Sequence, residues 1–133
     1  MRKVISTGSP LEKAAGYSRA VVQDNWCFVA GTTGYDYDTM VMPSTVEEQT
    51  RNALATIEKT LAEAGFDLAS VVRAQYIITD AADAGRVFPI LGEFFGDIRP
   101  AATMLVAGLV RPEMRVEIQV TAYRGEGKTN ALL

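Results

Sequence analysis

The strongest constraint on the fold is one amphipathic run. Between residues 44 and 65 the apolar side chains Val46, Ala53, Leu54, Ile57, Leu61 and Ala64 recur at steps of three and four, with Glu47, Glu48, Arg51, Glu58 and Lys59 on the other side. That spacing predicts a helix. Ser44 opens it with the capping-box spacing S-T-V-E, so that Glu47 reaches back to the cap, and Gly65 is placed to end it. A helix with a single apolar stripe must lay that stripe on a partner, and the flanking segments read as strands.

Residues 3–7 are expected as a short edge strand, followed by a loop through Gly8, Ser9 and Pro10. Residues 17–23 and 26–33 read as strands joined by the turn formers Asp24 and Asn25. In the second of these, Trp26, Phe28 and Ala30 share one face and Cys27, Val29 and Gly31 the other, so the strand is expected to be buried on both sides. Residues 34–43 form a loop. Residues 68–79 carry the β-branched run of a central strand. Asp80 is placed to cap a second helix reaching Phe95, striped by Val87, Phe88, Leu91, Phe94 and Phe95 and weakened by Gly85, Pro89 and Gly92.

Residues 99–118 read as an apolar strand, a turn through Gly108 and Pro112, and a return strand paired with it as a hairpin. Along residues 114–123, Met114, Val116, Ile118, Val120 and Ala122 face the core, while Arg115, Glu117, Gln119 and Thr121 face away. The order β-β-β-α-β-α-β-β predicts an α+β fold, a single mixed β-sheet with two helices packed on one face. Residues 1–124 make one domain and residues 125–133 a frayed tail. The sheet face away from the helices is expected to carry Cys27, Val29 and Gly31 beside the polar row around Glu117, a mixture suited to burial against sister subunits.

The chain has no histidine, which removes Ser-His-Asp and Cys-His catalysis and every imidazole-ligated metal site. Its one cysteine, Cys27, makes no internal disulfide, so a cytoplasmic, reducing home is expected and the thiol reads as packing. A net charge of −3 with scattered Lys and Arg argues against nucleic acid as a partner. No apolar run is long enough to span a membrane. Asp36 and Asp38 read as turn chemistry rather than a metal pair, and no metal or cofactor is expected. Chemistry must come from carboxylates, hydroxyls, Arg, Lys and backbone groups.

Three stretches together, Y-S-R-A-V from Tyr17, F-V-A-G-T-T-G ending at Gly34, and R-P-A-A-T-M followed by R-V-E-I, resemble the reactive intermediate deaminase (Rid, or YjgF) family across residues 1–124. The resemblance implies a chorismate-mutase-like fold and a homotrimer whose clefts between subunits bind a small-molecule ligand without metal or cofactor. It implies hydrolysis of 2-aminoacrylate-type enamines and imines, although ribonuclease, translation-inhibitor and chaperone-like members are also described. Glu117 matches the acidic residue that positions water, Tyr17 a cleft tyrosine, Gly31 a backbone contact to substrate, and Thr103 a Ser/Thr that bonds it. One departure stands out. In the family's P-x-R-S/T pattern the Arg grips the substrate carboxylate, and here its place is taken by Ala102, between Ala101 and Thr103. Arg99, Arg19, Arg111 and Arg115 are the candidates for a replacement cation, and the sequence does not choose among them. Without that clamp, 2-aminoacrylate is expected to be a poor substrate. The alternative is a ligand-binding trimer that kept the cleft and lost the chemistry.

Overall fold

A computed structural model describes residues 1–125 of the chain; apart from Gly125, the expected tail lies outside the described residues. The elements run β1 (Arg2–Ile5), α1 (Pro10–Ala15), β2 (Ala20–Gln23), β3 (Trp26–Thr33), α2 (Val46–Glu63), β4 (Val71–Ile78), α3 (Ala84–Phe95), β5 (Ala101–Val106) and β6 (Val116–Tyr123), with 3-10 turns at Leu68–Ser70 and Ala81–Asp83. The strands form one mixed sheet in the order β1-β2-β3-β6-β4-β5, antiparallel throughout except for β4 with β5. The helix α2 lies on β3 and β6 with α3 beside it. Leu54, Ile57 and Leu61 are fully buried in one core with Cys27, Val29, Ile118, Val120 and Ala122. The single sheet with two main helices on one face is therefore as the periodicity predicts.

The hairpin expected from residues 99–118 does not form. β5 and β6 are both paired to β4, one on each side, β5 parallel and β6 antiparallel. A parallel pair needs a crossover rather than a tight turn, and α3 supplies it. The loop at residues 107–115 consequently steps over the end of β4 instead of closing a ribbon.

Smaller corrections have local causes. The expected loop through Gly8, Ser9 and Pro10 leads into α1, where Ser9 accepts from the Leu11 N–H, Pro10 sits in the first turn and Gly16 ends the helix in the left-handed region at φ 72°. That Ser-Pro start and Gly stop is a recognisable helix signature, obscured because the helix has only six residues. The cap of α2 is Thr45 rather than Ser44, and its hydroxyl accepts from the Glu48 N–H at 3.2 Å. Asp80 caps a 3-10 turn, accepting from the Ala82 N–H, and α3 starts only at Ala84. Pro89 stands on the exposed side of α3, so its ring meets solvent and only one backbone bond is lost. Tyr17 precedes β2 instead of starting it, and β1 ends at Ile5.

The two faces of β3 are also the reverse of the expectation. Cys27 and Val29 are buried beneath the helices, whereas Trp26 and Phe28 are 41% and 48% exposed on the other face. Register with β6 decides this: Cys27 pairs with Ala122 and Val29 with Val120, which belong to the helix side, while Phe28 pairs with Thr121. Trp26 stacks with Phe28 and tilts against Tyr123, so the open face begins with an aromatic cluster.

Candidate functional site

Residue Glu117 points from β6 to the open face, beside Thr33 of β3 and Ile77 of β4. The register of β3 slips between Val29 and Thr32, leaving Ala30 and Gly31 opposite the single residue Gln119. Without the bulge Gly31 would face the helices. With it, Gly31 turns to the carboxylate, and a Cβ built there would lie 2.6 Å from Glu117 Oε2. Glycine is required because the carboxylate occupies the space a side chain would take.

Behind Gly31 stands Arg19, whose side chain has no solvent exposure. Its Nη1 donates to the Gly31 carbonyl at 2.9 Å and to the Thr32 hydroxyl at 2.8 Å. The guanidinium lies 5.7 Å from the Tyr17 ring and 5.0 Å from the Tyr37 ring, and the Tyr37 hydroxyl accepts from the Thr33 N–H. Glu12, also buried, places Oε2 3.8 Å from Arg19 Nε. Thus Tyr17, Gly31 and Glu117 come together around an arginine that the sequence offers only as one of four cations.

Other expected site residues lie apart within one chain. Thr103 is exposed on β5 and registers with Gln75, which registers with Gln119, so β4 separates it from β6 by roughly 10 Å across the sheet. Arg99 is exposed, in the left-handed region at φ 53°, two residues before the start of β5. The β5 start registers with Arg73, four residues along β4 from the Ile77 that neighbours Glu117, a further offset of roughly 13 Å. Ala102 registers with buried Ala74 and so lies on the opposite side of the sheet from Thr103. Arg115 is held by Asp83 at 2.9 Å, and Arg111 adjoins Tyr35 and Glu113.

Electrostatics distinguish Glu117. Burial pushes its carboxyl above the usual carboxylate range, and the Arg19 charge pulls the other way. It has no ion-pair partner within 4 Å among the described residues. An acid with a raised folded-state pKa favours the fold below its unfolded pKa and loses that contribution as pH rises through the folded value. Glu117→Gln is therefore expected to raise the melting temperature at pH 7.5 and to lose this advantage near pH 4. An equal gain at both pH values would reject the burial argument. By contrast Cys27, pushed up to about 11 by burial, is a neutral packing thiol. Asp36 accepts from the Asp38 N–H at 2.9 Å, as turn chemistry requires. No group of three or more metal-ligating side chains occurs among the described residues. A cavity of about 310 Å³ between the 35–38 loop and α2 includes Tyr37 but neither Gly31 nor Glu117.

The sequence profile of the family described as Endoribonuclease L-PSP matches residues 7–124. The chain belongs to this family, the Rid (YjgF) family. Among Rid relatives, the rat 2-iminobutanoate/2-iminopropanoate deaminase is 33% identical, with 99% of this chain and 97% of that protein covered. The mouse protein of the same name is 35% identical over 94% of this chain and 93% of its own. An uncharacterised Streptomyces coelicolor protein is 34% identical with 91% of each covered. A Mycobacterium tuberculosis member of the YjgF/YER057c/UK114 family has the same fold at a TM-score of 0.85 and 40% identity, covering 93% of this chain and all of that one. No helix among the described residues of this Rid protein is long and apolar enough to cross a membrane.

Proposed function

We propose that this Rid protein hydrolyses a small imine or enamine in a cleft between the subunits of a homotrimer. The observation that carries the reading is the Glu117 carboxylate, half-buried, without an ion-pair partner among the described residues and lodged against Gly31. A carboxylate with a raised pKa takes a proton from water more readily than an ordinary surface Glu. Glu117 draws that proton while the water oxygen bonds to the imine carbon, and passes it to the imine nitrogen, giving a carbinolamine. Glu117 then takes the carbinolamine hydroxyl proton and delivers it to the amine as the C–N bond breaks, so ammonia leaves and a carbonyl remains. Tyr17 walls the substrate, and the backbone at Gly31 holds it. Relatives named as 2-iminobutanoate/2-iminopropanoate deaminases support this chemistry.

The trimer reading rests on the open face. Trp26, Phe28 and Leu105 leave between 41% and 48% of their surfaces exposed there, and apolar surface of that kind is suited to a subunit contact. β5 is an edge strand with one unpaired side, so Thr103 and Arg99, remote from Glu117 in one chain, are supplied to the cleft by the neighbouring subunit. With Ala102 where the family's clamp stands, turnover of 2-aminoacrylate is weak. Ammonia release from 2-aminoacrylate and from 2-iminobutanoate, compared in wild type, Glu117→Ala and Ala102→Arg, tests the reading. Wild-type release from the larger imine, reduced about 10²–10⁴-fold in Glu117→Ala, is expected. A second reading, a binding trimer without chemistry, is favoured by Ala102, and silence of wild type and Ala102→Arg on both substrates would decide for it.

A further inference from the structure

Arg19 is an incomplete contact in an otherwise satisfied interior. Its Nη1 is used twice, but Nε and Nη2 make no hydrogen bond, and they are the only buried side-chain polar atoms without one among the described residues. Those two nitrogens form the edge of a guanidinium that presents parallel N–H bonds to a carboxylate. A buried charged donor left unpaired is unfavourable, and in folded proteins such a donor is completed by an ordered water, an ion or a ligand.

Glu12 does not complete it. Its oxygens accept from the Ser6 hydroxyl, the Thr7 N–H and the Thr7 hydroxyl, and at 3.8 Å from Nε it balances the arginine's charge without filling the fork. The Tyr17 and Tyr37 rings flank the guanidinium, the Tyr17 hydroxyl adjoins it closely enough to accept a weak hydrogen bond and to feel its charge, without saturating Nε and Nη2, and Glu117 lies beyond Gly31. Arg115 is committed to Asp83, and Arg99 lies at the far end of the sheet.

We infer that the Nε/Nη2 edge of Arg19 is a carboxylate-binding site, which takes the carboxylate of a 2-imino acid, or of the 2-oxo acid left by its hydrolysis, in the role Ala102 cannot fill. The choice of acid rests on the hydrolase reading; the site itself does not require turnover. Glu12 is carried on α1, six residues flanked by Gly8 and Gly16, both at positive φ. Displacement of this short helix opens the fork from the side of Tyr17, which is 38% exposed. The incoming carboxylate replaces Glu12 as counter-charge while Glu12 moves to water.

The test is a titration of the full-length, ¹⁵N-arginine-labelled protein with 2-oxobutanoate, following the arginine Nε–H resonances. One resonance, slow to exchange with solvent and absent from Arg19→Lys, is expected to move saturably, and the methyl ester of the same acid should leave it in place. Affinity should fall about tenfold or more in Arg19→Lys, which keeps the charge but loses the fork, and persist in Glu117→Ala. A stationary Arg19 resonance, undiminished binding in Arg19→Lys, or equal binding of the ester would overturn the inference. Binding at Arg19 without ammonia release would sink the hydrolase reading alone; ammonia release with Arg19 unresponsive would sink this site alone.

Discussion

Gly31→Ala is expected to keep the fold and lose the chemistry. The added Cβ would meet Glu117 Oε2 at 2.6 Å and Cδ at 2.7 Å, closer than non-bonded atoms approach. Both belong to the free end of a side chain on the half-open face, so the conflict is relieved by turning the carboxylate aside. Gly31 has no positive φ, so its backbone accepts alanine. The expected stability change is within about 1 kcal/mol. Displacing the group that positions water by about 1 Å is expected to lower ammonia release about 10²-fold. Thermal unfolding and turnover measured on the same preparation check this, and a variant with wild-type turnover would remove Glu117 from the mechanism.

Three residues along the chain the same substitution has the opposite consequence. A Cβ on Gly34 would lie 2.5 Å from Gln49 Cα and 2.6 Å from Gln49 Cβ, in the first turn of α2. A backbone atom cannot swing away, so the helix or β3 must move. Gln49 is a poor residue to disturb. Its amide donates to the Pro43 and Glu113 carbonyls and its oxygen accepts from the Arg115 N–H, tying α2 to the segment that precedes β6. The expected cost is about 3 kcal/mol, as for overpacking a tight core, or a fall of roughly 10 °C in Tm. Asn52 donates to the Gly34 carbonyl, so relief cannot come from lifting the loop without breaking that bond. A Tm unchanged in Gly34→Ala would show that this contact is looser than the structure implies.

The legible part of the sequence is local and periodic. The stripe of α2 and the alternation of β6 are written in consecutive residues, and the structure buries Leu54, Ile57, Leu61, Val116, Ile118, Val120 and Ala122 accordingly. The bounds of β3 are readable because turn formers flank it. The separation of β5 from β6 is not, because nearness in sequence suggests a hairpin and nothing in residues 99–118 reveals that β4 lies between them. The outward face of β3 is likewise a property of its partner, since both faces are apolar and only register with β6 separates them. Arg19 does not stand out from the other arginines, being a strand-edge residue beside Ala20 and Val22. The available signal is a long cation opening an apolar strand, seven residues after Glu12, the acid that shares its burial.

The bulge at Ala30 and Gly31 acts on β3 much as a frameshift acts on a coding message. Before it, odd-numbered residues such as Cys27 and Val29 belong to the core; after it, the even-numbered Thr32 does. The packing half and the site half of one strand are therefore written in opposite phase. Exchanges within residues 26–29 can retune the aromatic face while the pairing of Thr33 with Glu117 stays in frame. Deleting either Ala30 or Gly31 would rejoin the phases and turn Thr32 and Thr33 to the wrong sides of the sheet. In this chain, gaining or losing one residue at that point would weigh more than most changes of residue type around it.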